Sequence, residues 1–249
     1  MIGLPALAVL AVASVLVPAR AGAGSVDNCV QAEAAYQAGE PEREIELYTR
    51  CLEHDGPSRT QRAIAYNNRG VARLAKGEPE RAIEDYDRAL AIDSGYAAAH
   101  ANRGMAHLAT GAFAQALRDY DAAIALDPAY GPAYANRCWL FGYMGHGEEA
   151  LADCEASLRL VPDDPAVLDS RAFAYWLLED QESARRSLEE ARRLDPTRQA
   201  WQARFVEFEK DYSVGYPYSA ASVQSADRKR EAMAPTERRR AALRSANPR

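Results

Sequence analysis

Between residues 63 and 198 the apolar positions follow a helical period, and the pattern itself recurs. YNNRGVARLAKGEPERAIEDYDRALAID begins at Tyr66, and HANRGMAHLATGAFAQALRDYDAAIALD begins at His100. YANRCWLFGYMGHGEEALADCEASLRLV follows at Tyr134, and LDSRAFAYWLLEDQESARRSLEEARRLD at Leu168. Each start lies 34 residues after the last without a gap, so four units run 63–96, 97–130, 131–164 and 165–198. A more divergent unit fits over 25–58 with Gly39 and Ile45 in register, and four extra residues, Arg59 to Arg62, precede the next. Self-similarity at such a period is the mark of a stacked repeat.

Each unit predicts a helical hairpin. A first helix of good helix formers ends at a glycine: Gly39, Gly77, Gly111 and Gly145. The second helix places Ala82, Ile83, Tyr86, Ala89 and Leu90 on one apolar stripe. Asp127-Pro128 and Asp195-Pro196 close two units, because proline stops the helix that precedes it. Small residues recur where two helices must approach: Gly70, Gly104, Cys138 and Ala172 in the first helix, Ala82, Ala116, Ala150 and Ala184 in the second. A lone two-helix hairpin cannot bury its apolar face, so the units must stack.

These landmarks resemble the tetratricopeptide repeat (TPR). The resemblance covers about 25–198 and implies an all-α, right-handed α-solenoid of antiparallel hairpins. The sequence departs from the family where its usual first-helix Trp and Leu are replaced by Tyr or His and by Arg. Such arrays end in a polar-faced cap. Residues 197–212 suit that role: Thr197 can serve as N-cap, and Trp201, Phe205 and Phe208 fall on one face.

Register within the units pairs residues across each hairpin. Arg69, Arg103 and Arg137 each stand 16 residues before Asp85, Asp119 and Asp153, which predicts an Arg–Asp pair per hairpin. As exposed pairs they would contribute about 0–1 kcal/mol each. The last unit has Ser187 at the acidic place, so Arg171 needs another partner. Cys29 and Cys51 fall at places five and twenty-seven, Cys138 and Cys154 at places eight and twenty-four. Each pair straddles its turn, which predicts the disulfides Cys29–Cys51 and Cys138–Cys154 in an exported protein.

The ends support export. Leu4 to Val17 is an apolar run of 14 residues, short of the roughly 20 that span a bilayer. Small residues follow and allow cleavage after Ala21 or Ala23, so residues 1–23 read as a signal peptide, although no Lys or Arg precedes the run. An uncleaved anchor in the inner membrane is the alternative. From Asp211 on there are eight basic and four acidic residues. The tail, 213–249, is expected to be largely disordered and able to touch an anionic membrane surface. The net charge of −6 thus hides a body of about −11, once Arg20 and the tail's +4 are set aside. Nucleic acid is not an expected partner, since no aromatic interleaves the arginines.

Candidate chemistry is that of binding. In the family the first helices line a concave surface. Here that surface would hold an asparagine ladder, Asn68, Asn102 and Asn136, beside Val71 and Met105, and would grow aromatic toward Trp139, Tyr143, Phe173 and Trp176. An asparagine amide both donates and accepts, so it can bond a peptide backbone in either sense. Similar ladders bind peptide backbone in some TPR proteins. The basic residues of carboxylate-clamp TPR proteins are missing. No cofactor, metal or catalysis is expected. His100 and His107 lie two helical turns, about 10 Å, apart, and no zinc-protease, nucleophile-elbow or phosphate-loop motif occurs. The resulting expectation is a non-enzymatic scaffold or adaptor for a protein or peptide in the periplasm. A membrane-anchored or membrane-recruited assembly factor is the alternative.

Overall fold

Ten helices and no strand make up the described part of the computed structural model, which comprises residues 25–53 and 57–196. They pair in chain order. α1 (Ser25–Gln37) lies with α2 (Pro41–Glu53), α3 (Arg59–Ala75) with α4 (Pro79–Ile92), and α5 (Ala97–Ala109) with α6 (Phe113–Leu126). α7 (Gly131–Tyr143) joins α8 (Gly147–Leu160), and α9 (Pro165–Leu177) joins α10 (Gln181–Leu194). The chain divides into two compact units, Met1–Asn136 and Arg137–Arg249. The signal segment 1–23, the cap 197–212 with Thr197, Trp201, Phe205 and Phe208, and the tail 213–249 lie outside the described residues.

Local chemistry sets the helix ends. Gly39, Gly77, Gly111 and Gly145 turn the chain at φ between 69° and 79°, where a side chain would be strained. The fifth hairpin turns in the same conformation at Glu179, φ 62°, without glycine. The four extra residues Arg59–Arg62 form the first turn of α3 rather than a spacer. Ser58 caps that turn, its hydroxyl accepting from the Gln61 N–H while the Gln61 side chain accepts from the Ser58 N–H at 2.8 Å. Asp164 and Asp180 cap α9 and α10, and Pro165 opens α9 without losing a needed donor.

The core is repeated hairpin packing. In the first unit, Gly70 and Gly104 lie against the rings of Tyr86 and Tyr120, both fully buried. A Cβ at either glycine would stand 2.7 Å from a ring carbon, so the close approach requires glycine. Ala82 and Ala116 complete the contact. In the second unit the same two places are taken by Cys138 and Cys154, which form a disulfide with their Cα atoms 5.2 Å apart. A covalent cross-link thus replaces the glycine–tyrosine contact of the neighbouring hairpins. Cys29–Cys51 ties α1 to α2, Cα atoms 5.4 Å apart, inside a cluster with Ala32, Ala35, Leu47 and Tyr48. Both pairs are those expected from the repeat register.

The Arg–Asp pairs form too; their carboxylates are buried, as is Arg69, while Arg103 and Arg137 are half-buried. The Arg69 guanidinium donates to both oxygens of Asp85 at 2.9 and 2.7 Å, and Asp85 is fully buried. Arg103–Asp119 and Arg137–Asp153 repeat the fork at 2.7–3.0 Å. Arg171 donates instead to Ser187 at 3.1 Å and to Glu190 at 2.8 Å. Removing one partner of a buried pair costs about 3–5 kcal/mol, because the other charge is stranded away from water.

Candidate functional site

Within the first unit, hydrogen bonds connect neighbouring hairpins through a row of amides. Asn68 of α3 donates to the Tyr48 hydroxyl of α2 at 3.0 Å. Asn67 donates to the Asn68 side-chain oxygen at 3.0 Å, and Asn102 of α5 donates to the Asn67 oxygen at 3.0 Å. Asn67 is fully buried and acts as the bridge, a role its sequence place did not disclose. Asn68, Asn102 and Asn136 are each 7% exposed. The Asn102 side-chain oxygen and the Asn136 amide have no hydrogen-bond partner among the described residues. Val71 and Met105 are buried beside this row.

At the start of the row lies an acidic residue. Glu44 on α2 occupies the place held by Ala82, Ala116, Ala150 and Ala184 in the other hairpins, all fully buried. It is itself buried, and the charge of Glu33 on α1 acts on it. Burial, with Glu33 adding, pushes its carboxyl up to about 7. The neighbouring Tyr48 hydroxyl is raised as well, chiefly by burial and against the bond from Asn68, with Glu33 and Glu44 contributing.

A third polar cluster lies between α5 and α6. His100 Nδ1 stands 3.5 Å from one oxygen of Asp119 and His107 Nε2 3.8 Å from the other. Arg103 spans Asp119 and Asp87 at 2.7 Å each. The three α5 side chains share one helix face, so residues two turns apart converge on one carboxylate. Burial pushes Asp119 up, but the neighbouring His100 and the bonds from Arg103 outweigh it and hold the carboxyl below its usual range. Burial pushes His107 down, with Asp119 opposing.

The second unit carries the aromatic residues. Trp139 and Tyr143 stack on α7 with ring centroids 5.4 Å apart, and Phe173 and Trp176 stack on α9 at 5.7 Å. Phe173 is buried, and its ring comes within 3.1 Å of where a Gly142 Cβ would stand, so glycine admits it. Trp139, Tyr143 and Trp176 are half-buried. No helix among the described residues is long and apolar enough to cross a membrane.

Glycine-turned helical hairpins with small-residue contacts, joined by side-chain networks, define an all-α repeat protein of the interaction-scaffold class. Residues 63–96 and 97–130 each match the tetratricopeptide repeat family. Residues 63–130 thus carry two tetratricopeptide repeats. No curated protein sequence matches it significantly. Solved structures show the fold. A thermophilic TPR protein of Thermus thermophilus, TTC0263, is 18% identical with a TM-score of 0.61, over 75% of this chain and 99% of its own. MamA is 20% identical with a TM-score of 0.55, over 68% and 96%. YrrB, described as a TPR protein with an unusual peptide-binding site, is 19% identical with a TM-score of 0.53, over 73% and 91%.

Proposed function

We propose that the protein is an exported, non-enzymatic scaffold that holds an extended segment of a partner protein against the amide row of its first unit. The observation that carries this reading is the row itself. Asn67 and Asn68 are tied down by bonds to each other, to Tyr48 and to Asn102, so the amides are fixed in place before any ligand arrives. The Asn102 oxygen and the Asn136 amide retain capacity for a peptide backbone, in the manner of a ladder with a 34-residue step. YrrB, a TPR protein with an unusual peptide-binding site, lends the fold a precedent. Trp139, Tyr143 and Trp176, half-buried in the second unit and with Trp176 stacked on the buried Phe173, are suited to an apolar anchor of a partner.

The ten helices are read as five tetratricopeptide hairpins, at 25–58, 63–96, 97–130, 131–164 and 165–198, followed by the cap and the basic tail. Export rests on the apolar segment 1–23 with cleavage after Ala21 or Ala23, and two disulfides suit an oxidising compartment. The excess of basic residues after Asp211 favours a second reading, in which the tail or an uncleaved segment brings the scaffold to an anionic membrane. Fractionation separates the two: a soluble mature chain starting at Gly22 or Gly24 supports the first reading. The groove is tested with Asn102→Ala and Asn136→Ala together, in pull-downs from periplasmic extract. Partner recovery is expected to fall while the circular dichroism spectrum stays that of the folded helical protein. Unchanged recovery contradicts the reading.

A further inference from the structure

The acidic start of the amide row has a chemistry of its own. Glu44 is only 4% exposed, and its carboxyl group has no hydrogen-bond or ion-pair partner among the described residues. Glu33, on the facing helix, holds the place that Val71 and Met105 hold in the next hairpins and is bonded only to Gln37, at 3.3 Å. The cations of the surrounding helices are engaged elsewhere. Arg69 and Arg73 reach Asp85 at 2.7 and 2.9 Å, Lys76 reaches Glu42 at 3.4 Å, and Arg43 and Arg50 pair with Glu40 and Glu46. α1 contains no basic residue. A buried carboxylate facing a second carboxylate and no cation is costly, and an alanine serves at this place in every other hairpin.

We propose that Glu33 and Glu44 form a notch that receives the ammonium or guanidinium group of a lysine or arginine in a partner peptide whose backbone lies along the amide row. This rests on the peptide-groove reading and names the side chain that the groove selects. An incoming cation supplies the counter-charge that Glu44 lacks. The Tyr48–Asn68–Asn67–Asn102 chain of bonds leads from the notch to the ladder, so one extended strand can place a basic side chain at its start and its backbone amides beyond. An exposed pair of acids would give no such selection, because water would screen it.

Titration supplies an independent signature. Glu44 sits near 7 through burial and the charge of Glu33. On α1 the charged group facing it is Glu33, and on α3 and at its C-cap Arg69, Arg73 and Lys76 are turned to other partners. A cation must draw the Glu44 proton off below that point. A group titrating near 7 is about a tenth ionised at pH 6 and about nine-tenths at pH 8, so affinity should weaken about tenfold on going to pH 6.

The experiment uses the full chain against a displayed library of random twelve-residue peptides at pH 8. Recovered binders are expected to share a lysine or arginine at one position. A selected peptide and its twin with norleucine at that position are then titrated calorimetrically into wild type, Glu44→Ala and Glu33→Gln. Wild type should prefer the basic peptide at least tenfold and lose about tenfold in affinity from pH 8 to pH 6. Glu44→Ala should lose both effects, and Glu33→Gln should weaken the preference. Binders without a basic preference, or a preference undiminished in both variants, overturn the notch and leave the groove reading standing. Recovery of no binders contradicts the groove reading and the notch with it.

Discussion

At the residue scale, the informative positions are those that break the repeat. Glu44 stands where alanine is the rule and Glu179 turns a hairpin where glycine is the rule. A carboxyl whose folded value is raised binds its proton more tightly in the native state, so stability falls as pH rises from its ordinary value near 4.5 to about 7. Replacing Glu44 with Ala should therefore raise Tm at pH 8, by up to about 3 kcal/mol in stability, and the gain should shrink toward pH 4.5. Thermal melts of both proteins across that range check this. A constant difference would show that Glu44 does not titrate in the window. His107 acts with the opposite sign: its value is depressed, so its contribution is lost as pH falls below about 6.5. It is common to both proteins and cancels in the difference. Glu44 could be found in the sequence by aligning the first unit with the others. Asn67 could not, because its bond to Asn102 runs between adjacent hairpins, and register across one hairpin does not state what touches its neighbour.

At the scale of the helical hairpin, one position pair is filled differently from hairpin to hairpin. Places eight and twenty-four hold glycine and tyrosine in the second and third hairpins and a disulfide in the fourth. Cys138→Gly together with Cys154→Tyr should restore the neighbours' contact. Its Tm should lie near that of oxidised wild type and should not respond to dithiothreitol, apart from the response due to Cys29–Cys51. Cys138→Ala with Cys154→Ala should lose about 2–4 kcal/mol. Equal losses in both double variants would show that the fourth hairpin cannot accept the neighbours' packing. This scale was the most legible in the sequence. A fixed 34-residue step specifies which residues face one another across a turn, and it gave the Arg–Asp forks and both disulfides. What it could not give was depth. Asp85 is fully buried, and one-dimensional spacing carries no record of such burial.

At the scale of the whole molecule, the net charge of −6 is a remainder. The described residues carry 18 basic and 29 acidic side chains, whereas the sequence from Asp211 on is basic. The acidic body suits a basic partner segment, and the Glu33–Glu44 notch gives that preference a location in the first unit. Long-range attraction of this kind weakens with salt, while a buried ion pair is screened less. Partner association should thus slow as salt rises even where the bound complex persists. The proposed role of the amide row of the first unit is to bind an extended peptide. The most direct measurement is the calorimetric affinity of a library-selected peptide for wild type and for Asn102→Ala with Asn136→Ala, at pH 8 and with Tm recorded for both. Two lost hydrogen bonds at about 0.5–1.5 kcal/mol each predict a drop of about five- to 150-fold in a variant that remains folded. An affinity equal to wild type in a folded variant would contradict the account.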